Sequence, residues 1–375
     1  MRFVSRRHRA RIFLALPQIL FVAATEAASP SLPPVQTIFI IVMENRSWSQ
    51  IKDNPSAPYL NQVLLPIASY CEQYFAPPGL RPSEPNYLWL EAGTNFGIID
   101  NNDPELNHQN TTNHLVAQLR NAGLSWKTYQ EDIDGTYVPL TATNLYTPRH
   151  NPFVYFDDVT GTNNPADPYG IAHIRPYSQL ASDLSSGRVA RYNFIKPNLC
   201  HDTHDCEIEV GDAWLASEVP HILNSPAYQN AGALFITWDE GQSGDEGPIG
   251  LIVLSPFARG GGYSNNIYYT HSSTLRTFQE LLGVTPLLGD AAQASNFSDL
   301  FLTPDLADAA KLAGGEFQFR AEDLIAGRSA IIQSSTNLVD WISVGTNTPG
   351  AGTFFFTDPS AKNFERLFYR FFQPP

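Results

Sequence analysis

The chain has 375 residues, 43% of them hydrophobic, with 29 prolines, 25 glycines and 3 cysteines. That is apolar material for one large domain and a smaller companion, and so many chain-turning residues exclude a simple helical bundle. The net charge of −14 excludes a nucleic-acid binder that works by long-range attraction, and it repels anionic membrane surfaces.

Arg2, Arg6, Arg7, Arg9 and Arg11 precede an apolar run, Ile12–Ala24, and Thr25-Glu26-Ala27 places small residues where a signal peptidase cuts. Residues 1–27 are expected to be an export signal; read otherwise, the run is an uncleaved anchor, although it is short for a membrane span. Ser5-Arg6-Arg7 hints at twin-arginine export, but the residues downstream of it fit a general secretory signal better. Cleavage leaves 18 basic and 36 acidic side chains, a net charge of −18, on a secreted or periplasmic product. No later segment is long and apolar enough to cross a bilayer.

Val35–Met43 reads as a buried strand ending in Glu44-Asn45. Tyr59–Ser69 has helical spacing. In Arg81-Pro82-Ser83-Glu84-Pro85-Asn86-Tyr87 a hydroxyl stands at the entrance of a helix, because Pro85 suits a first turn and Ser is a favoured cap. Leu115–Ala122 and Leu180–Ser185 read as helices, Trp126–Gln130 and Val189–Ile195 as strands. Asp212–Asn224 reads as a helix that Pro220 should kink or divide. Ala233–Trp238 and Ile249–Leu254 are short continuous apolar runs, as expected of strands buried on both faces. Ser273–Leu282 is a helix stopped by Gly283. The alternation predicts an α/β fold, a three-layer α/β/α arrangement with a mostly parallel central sheet. From Phe317 onward the runs Ala330–Ser334, Trp341–Gly345, Thr353–Thr357 and Leu367–Phe372 are short, alternating and separated by Gly, Asn and Pro. They predict a small C-terminal antiparallel β module.

Three groups carry chemistry. Ser83 at a helix N-terminus could attack phosphorus where free amides and positive potential favour a phosphate, or could merely cap. Glu44-Asn45 and Asp239-Glu240 each end a strand, where sites of parallel sheets gather. Each pair could be a solvated turn, with Arg46 as a partner for Glu44. Two such strand ends in one chain point to a hard cation held by oxygen ligands. His201-Asp202-Thr203-His204-Asp205 packs two imidazoles and two carboxylates into five residues, suited to a metal site or to acid–base work. Cys200 and Cys206 bracket this loop and would form a disulfide after export, or stay as two thiols; Cys71 is left over. His271 and His150 are lone histidines, His150 the weaker of the two.

With these residues in view, the chain resembles the bacterial secreted acid phosphatases of the phosphoesterase family, which also contains phospholipases C and enzymes named phosphatidylinositol-3-phosphatase. The resemblance runs from Val35 to Leu288. It rests on ENRSW, PSEPNYLWLEAG, RHNPFVYF, PNLCHDTHD followed by GDAWL, ITWDE, and THSSTLRTFQELLGV, in that order. It implies an alkaline-phosphatase-like fold over residues 28–311, with residues 312–375 as an appended module. It implies Ser83 as nucleophile, Glu44, Asn45, Asp239 and Glu240 around a cation, and Asp202, His201, His204 and His271 completing the pocket as metal ligands or general acid. Arg81 stands where the acid phosphatases often have His. It could hold phosphate oxygens together with Asn86, but it cannot act as an acid near neutral pH. Glu240 stands where a two-metal alkaline phosphatase has a His ligand, which favours one divalent cation (Ca, Mg, Mn or Zn), with a second left open. The expected partner is a phosphate ester, phospholipids included, with no nucleic acid and no integral membrane association; oligomeric state is open. The expected activity is hydrolysis of phosphomonoesters through a phosphoserine. The alternatives are a phospholipase C or other phosphodiesterase, and a non-catalytic secreted binding protein.

Overall fold

The computed structural model describes residues 32–242, 247–302 and 304–373; the expected export signal at 1–27 lies outside them. The strands of the first part are β1 (Thr37–Met43), β2 (Ser69–Cys71), β3 (Tyr74–Phe75), β4 (Trp126–Gln130), β5 (Ile174–Pro176), β6 (Tyr192–Lys196), β7 (Gly232–Trp238), β8 (Leu251–Leu254), β9 (Tyr263–Asn265) and β10 (Tyr269–Thr270). Eight of them form one sheet in the order β5-β4-β6-β1-β7-β8-β2-β9, while β3 and β10 pair separately. Every neighbouring pair in the large sheet is parallel except the two that involve β8. Strands β7 and β8 are buried throughout, which is why they read as continuous apolar runs rather than alternating ones.

Register shows the layers. Paired residues on parallel strands point to the same face, and successive residues to opposite faces. Ile40 pairs with Phe194 and with Phe235. Phe194 packs against Tyr87 of the helix Ser83–Ala92, and Phe235 against Phe278 of the helix His271–Leu282. Met43, three positions on, faces the other way, its Cε 3.1 Å from where a Cβ on Gly211 would stand in the helix Ile208–Leu223. Helices therefore cover both faces, giving the three layers expected.

Two local expectations change. The helix Ile208–Leu223 is not divided at Pro220, because Pro220 falls in its last turn and forfeits a single bond, to Ala216. Tyr59–Ser69 is helical over its first half only, with a wide-turned helix at Leu60–Leu64 followed by turns into β2. Its entry is held by Asp212, which accepts from the Tyr59 and Leu60 amides at 2.9 and 2.8 Å.

The C-terminal strands are β11 (Asp305–Lys311), β12 (Phe317–Glu322), β13 (Ala330–Ser335), β14 (Ile342–Asn347), β15 (Phe354–Asp358) and β16 (Phe368–Phe372). They form two three-stranded antiparallel sheets, β11-β12-β15 and β14-β13-β16, around a core of Phe319, Ala321, Leu324, Ala330 and Ile332. β11 pairs with β12, so Asp305–Lys311 shares an antiparallel sheet with strands that lie beyond residue 311. The module meets the main domain where the Arg328 guanidinium lies 5.1 Å above the Phe257 ring.

Candidate active site

The alternation that builds the layers also builds the site. Positions 40 and 42 on β1, 194 and 196 on β6, and 235 and 237 on β7 share the face covered by the helices Ser83–Ala92 and His271–Leu282, and the same alternation carries on to 44 and 239, one residue past their strands. The carboxyl ends of three adjacent parallel strands thus deliver Glu44, Lys196 and Asp239 to one place, the usual position for a site in such a sheet.

Glu44 is fully buried. Its Oε1 accepts from the Tyr87 hydroxyl and, at 3.1 Å, from Lys196 Nζ. Its Oε2 accepts from Ser83 Oγ at 3.4 Å and lies 3.4 Å from His150 Nε2. Ser83 opens its helix but makes no side-chain cap, so its hydroxyl is turned to the carboxylate. Asp239 Oδ1 accepts from the Asn45 amide at 3.2 Å, at a left-handed turn (φ 41°) that Asn tolerates better than most residues. One end of the Asn45 side chain lies 3.1 Å from Asp239 Oδ1 and 3.0 Å from Glu44 Oε2. With its nitrogen inward it donates to both; with its oxygen inward, three oxygens crowd together and only a cation between them would make that favourable.

A second set adjoins the first. Asp202 Oδ2 accepts from Lys196 Nζ at 2.6 Å, and Oδ1 from the His204 amide at 2.8 Å. His150 Nδ1 lies 3.5 Å from Asp202 Oδ2, and its ring stacks on Tyr87 and faces His204 at 5.6 Å. Glu44, His150 and Asp202 each offer a ligand atom within 4.8 Å of the others, a group that could hold a metal ion. The Cys200–Cys206 disulfide closes this loop, and Thr203 Oγ1 donates to the Glu44 carbonyl at 2.9 Å.

Burial and charge set the protonation states. Burial alone pushes Glu44 up, but His150, Lys196 and the Tyr87 hydroxyl outweigh it and hold the carboxyl below its ordinary range. His150 is itself driven well below its ordinary value by burial and is neutral at pH 7, so the working counter-charge is Lys196. Burial would lower Lys196, yet Asp202 and Glu44 raise it. Burial raises Asp202 despite Lys196. Asp239 is pushed well up by burial, then by Glu44 and Glu240. Asp239 Oδ2 and His150 Nε2 are buried without hydrogen-bond partners, which is costly unless a ligand meets them. Acidic oxygens gathered around such atoms fit a hard divalent cation.

The other expected residues lie elsewhere or are already engaged. His201 Nδ1 is 2.8 Å from Glu131 Oε2 and its ring stacks on Trp214, so it faces away from Ser83. His271 is buried with both nitrogens used, Nε2 on the Asp239 carbonyl at 2.6 Å and Nδ1 on the Tyr74 hydroxyl at 2.9 Å; it positions the Asp239 backbone. His204 borders the pocket through His150, with Nδ1 on Asp205 at 2.6 Å. The Glu240 carboxylate turns to Arg81 at 3.5 Å and Asn86 at 3.3 Å, not to Glu44. Arg81 also donates to the Gly241 and Gln242 carbonyls, and the Asn86 amide donates to the Leu80 and Pro82 carbonyls. These two side chains tie the loop before Ser83 to Glu240 and to the backbone at 241–242. Lys196, Tyr87 and the central place of His150 were missed. A lysine ending a buried strand is a usable signal, and Tyr87 and His150 lie inside two of the runs that carry the resemblance, PSEPNYLWLEAG and RHNPFVYF.

Residues 53–285 match the phosphoesterase family model; Glu44 and Asn45 lie just before that span. The phosphatidylinositol-3-phosphatase of Mycobacterium tuberculosis is 30% identical over 76% of this chain and 88% of its own length. A probable acid phosphatase of Kluyveromyces lactis is 24% identical over 64% of this chain and 56% of its own. Phospholipase C B of Mycobacterium tuberculosis is 24% identical over 60% of this chain and 50% of its own. With a family model over more than half of its length and a relative this similar, the chain belongs to the phosphoesterase family and is a hydrolase of phosphoric esters.

Proposed function

We propose that the chain is a secreted, metal-assisted phosphatase that hydrolyses phosphomonoesters through Ser83 and a phosphoserine intermediate. The observation that carries the reading is the Ser83 hydroxyl at a helix entrance, 3.4 Å from the Glu44 carboxylate that Asn45 links to Asp239. Glu44, Asn45 and Asp239 would hold the cation, with Ser83 beside it, while Glu240 keeps Arg81 in place. When bound, such an ion stabilises an alkoxide and the charge on the phosphoryl oxygens.

His150 Nε2, which lies beside the same Glu44 oxygen as Ser83 Oγ, takes the Ser83 proton as Oγ bonds to phosphorus and the bond to the alcohol oxygen breaks. His150 Nε2 then gives that proton to the departing alcohol oxygen; the phosphoryl anion favours the transiently protonated ring, and Asp202 beside Nδ1 supports the other N–H. In the second step His150 Nε2 takes a proton from water, the water oxygen bonds to phosphorus, the bond to Ser83 Oγ breaks, and His150 returns the proton to Ser83 Oγ. The Cys200–Cys206 disulfide supports an oxidising destination.

Ser83→Ala should lower turnover of an aryl phosphate on the order of 10³-fold or more while the fold persists by circular dichroism. Unchanged turnover would overturn the assignment. A phosphodiesterase uses the same nucleophile, and the relative named as a phospholipase C favours testing it. A chromogenic diester cleaved faster than the matching monoester would replace the monoesterase reading.

A further inference from the structure

Lys196 is 3% exposed at the end of a strand otherwise made of Tyr, Asn, Phe and Ile. An ammonium has three hydrogens to donate, and this one places all three: on Asp202 Oδ2 at 2.6 Å, Glu44 Oε1 at 3.1 Å and the Val42 carbonyl at 3.2 Å. Those two carboxylates, with His150, are the group whose ligand atoms lie within 4.8 Å of one another. His150 Nε2 is 3.4 Å from Glu44 Oε2, buried, and has no hydrogen-bond partner. A divalent ion's ligands are therefore assembled around a cation that the chain already carries.

An incoming ion would have to take the same Asp202 oxygen that Lys196 holds. The ammonium has no water to retreat to, and a buried charge stripped of its partners is strongly disfavoured. We propose that Lys196 stands in the place of a second metal ion. The protein then binds one divalent cation per chain, at the Glu44–Asn45–Asp239 end, and Lys196 neutralises the Glu44–Asp202 end permanently. This rests on the proposed cation at Glu44 and Asp239 and adds that its stoichiometry is one by construction.

The test counts ions. The full chain is stripped with chelator, equilibrated against excess Mn²⁺ and assayed for bound manganese by mass spectrometry, with melting midpoints read with and without Mn²⁺. One ion is expected in the wild type and in Lys196→Arg, which keeps the charge. Lys196→Ala is expected to bind two and to gain more in melting midpoint from Mn²⁺ than the wild type does, because binding to the folded state alone stabilises it. Two ions in the wild type, or one in folded Lys196→Ala, would overturn the proposal. No ion in the wild type would instead overturn the metal-assisted function itself, and this inference with it. If Lys196→Ala does not fold without metal, it is refolded with Mn²⁺ present: recovery with two ions supports the proposal, and failure to recover counts against it.

Discussion

Each oxygen of Glu44 has its own surroundings. Oε1 is saturated by Tyr87 and Lys196, which fixes the carboxylate, and Oε2 is left to face Ser83 and His150. A carboxylate pinned on one side offers the other without having to reorganise. The histidines then separate by what they touch. His150→Ala should lower turnover by about 10²- to 10⁴-fold, the usual worth of a positioned acid or base. His201→Ala should leave turnover within about twofold, since its partners are Glu131 and Trp214; steady-state assays of both variants settle the contrast. His271→Ala should cost about 1–3 kcal/mol of stability by leaving the buried Asp239 carbonyl without the imidazole N–H it accepts from, read in urea titrations. Residue type and density in sequence were poor guides to this division. The run from His201 to Asp205 is a tight turn, so neighbours point in different directions: Asp202 goes inward and His201 outward. His150 sits about 50 positions from that turn and enters the pocket only because the fold brings its loop there.

Whole elements were more legible than residues. Long apolar runs such as Ala233–Trp238 became β7 with almost the same bounds, because a strand buried on both faces needs little beyond length and hydrophobicity. The two- and three-residue strands β2, β3, β5, β9 and β10 are too short for any period to show, and tertiary pairing alone makes them strands. Strand parity explains why Glu44, Lys196 and Asp239 converge, but it becomes readable only once the register is known. One packing contact tests how the helix Ile208–Leu223 supports the site. A Cβ at Gly211 would stand 2.3 Å from Thr203 Cγ2 and 3.0 Å from the His201 carbonyl. Gly211→Ala should therefore push the helix off the loop that carries Asp202 and Thr203, at about 1–3 kcal/mol. Melting midpoint and turnover should fall together; a drop in the first alone would show that the loop tolerates the shift.

At the scale of the whole molecule, a buried ionic cluster distant from Ser83 sets a pH window. His114 Nδ1 lies 3.2 Å from Glu91 and Nε2 2.9 Å from Asp158, which Arg120 also bonds. Burial works against the charged imidazole, but both acids outweigh it and raise its pKa above the ordinary 6.5. A raised value in the folded state means stability that is complete below pH 6.5 and lost as pH climbs through the folded value. Glu91, raised by burial, adds a loss in the same direction. Asp158, which His114 and Arg120 hold down against burial, contributes above its ordinary 3.8 and loses that contribution in acid. Wild-type stability should therefore exceed that of His114→Gln most just below pH 6.5, and the difference should shrink as pH rises above it, in denaturant titrations on both sides of that value. The pairing of β1 with β7 has a further consequence. Ile41 meets Ile236, 195 positions downstream, so the apolar Thr37–Met43 segment waits for most of the chain before its second neighbour exists. Such late, long-range closure folds slowly and leaves sticky backbone edges open meanwhile. Nascent chains halted before residue 232 should be captured by chaperones or aggregate, and an N-terminal half cannot be expected to yield any partial catalyst.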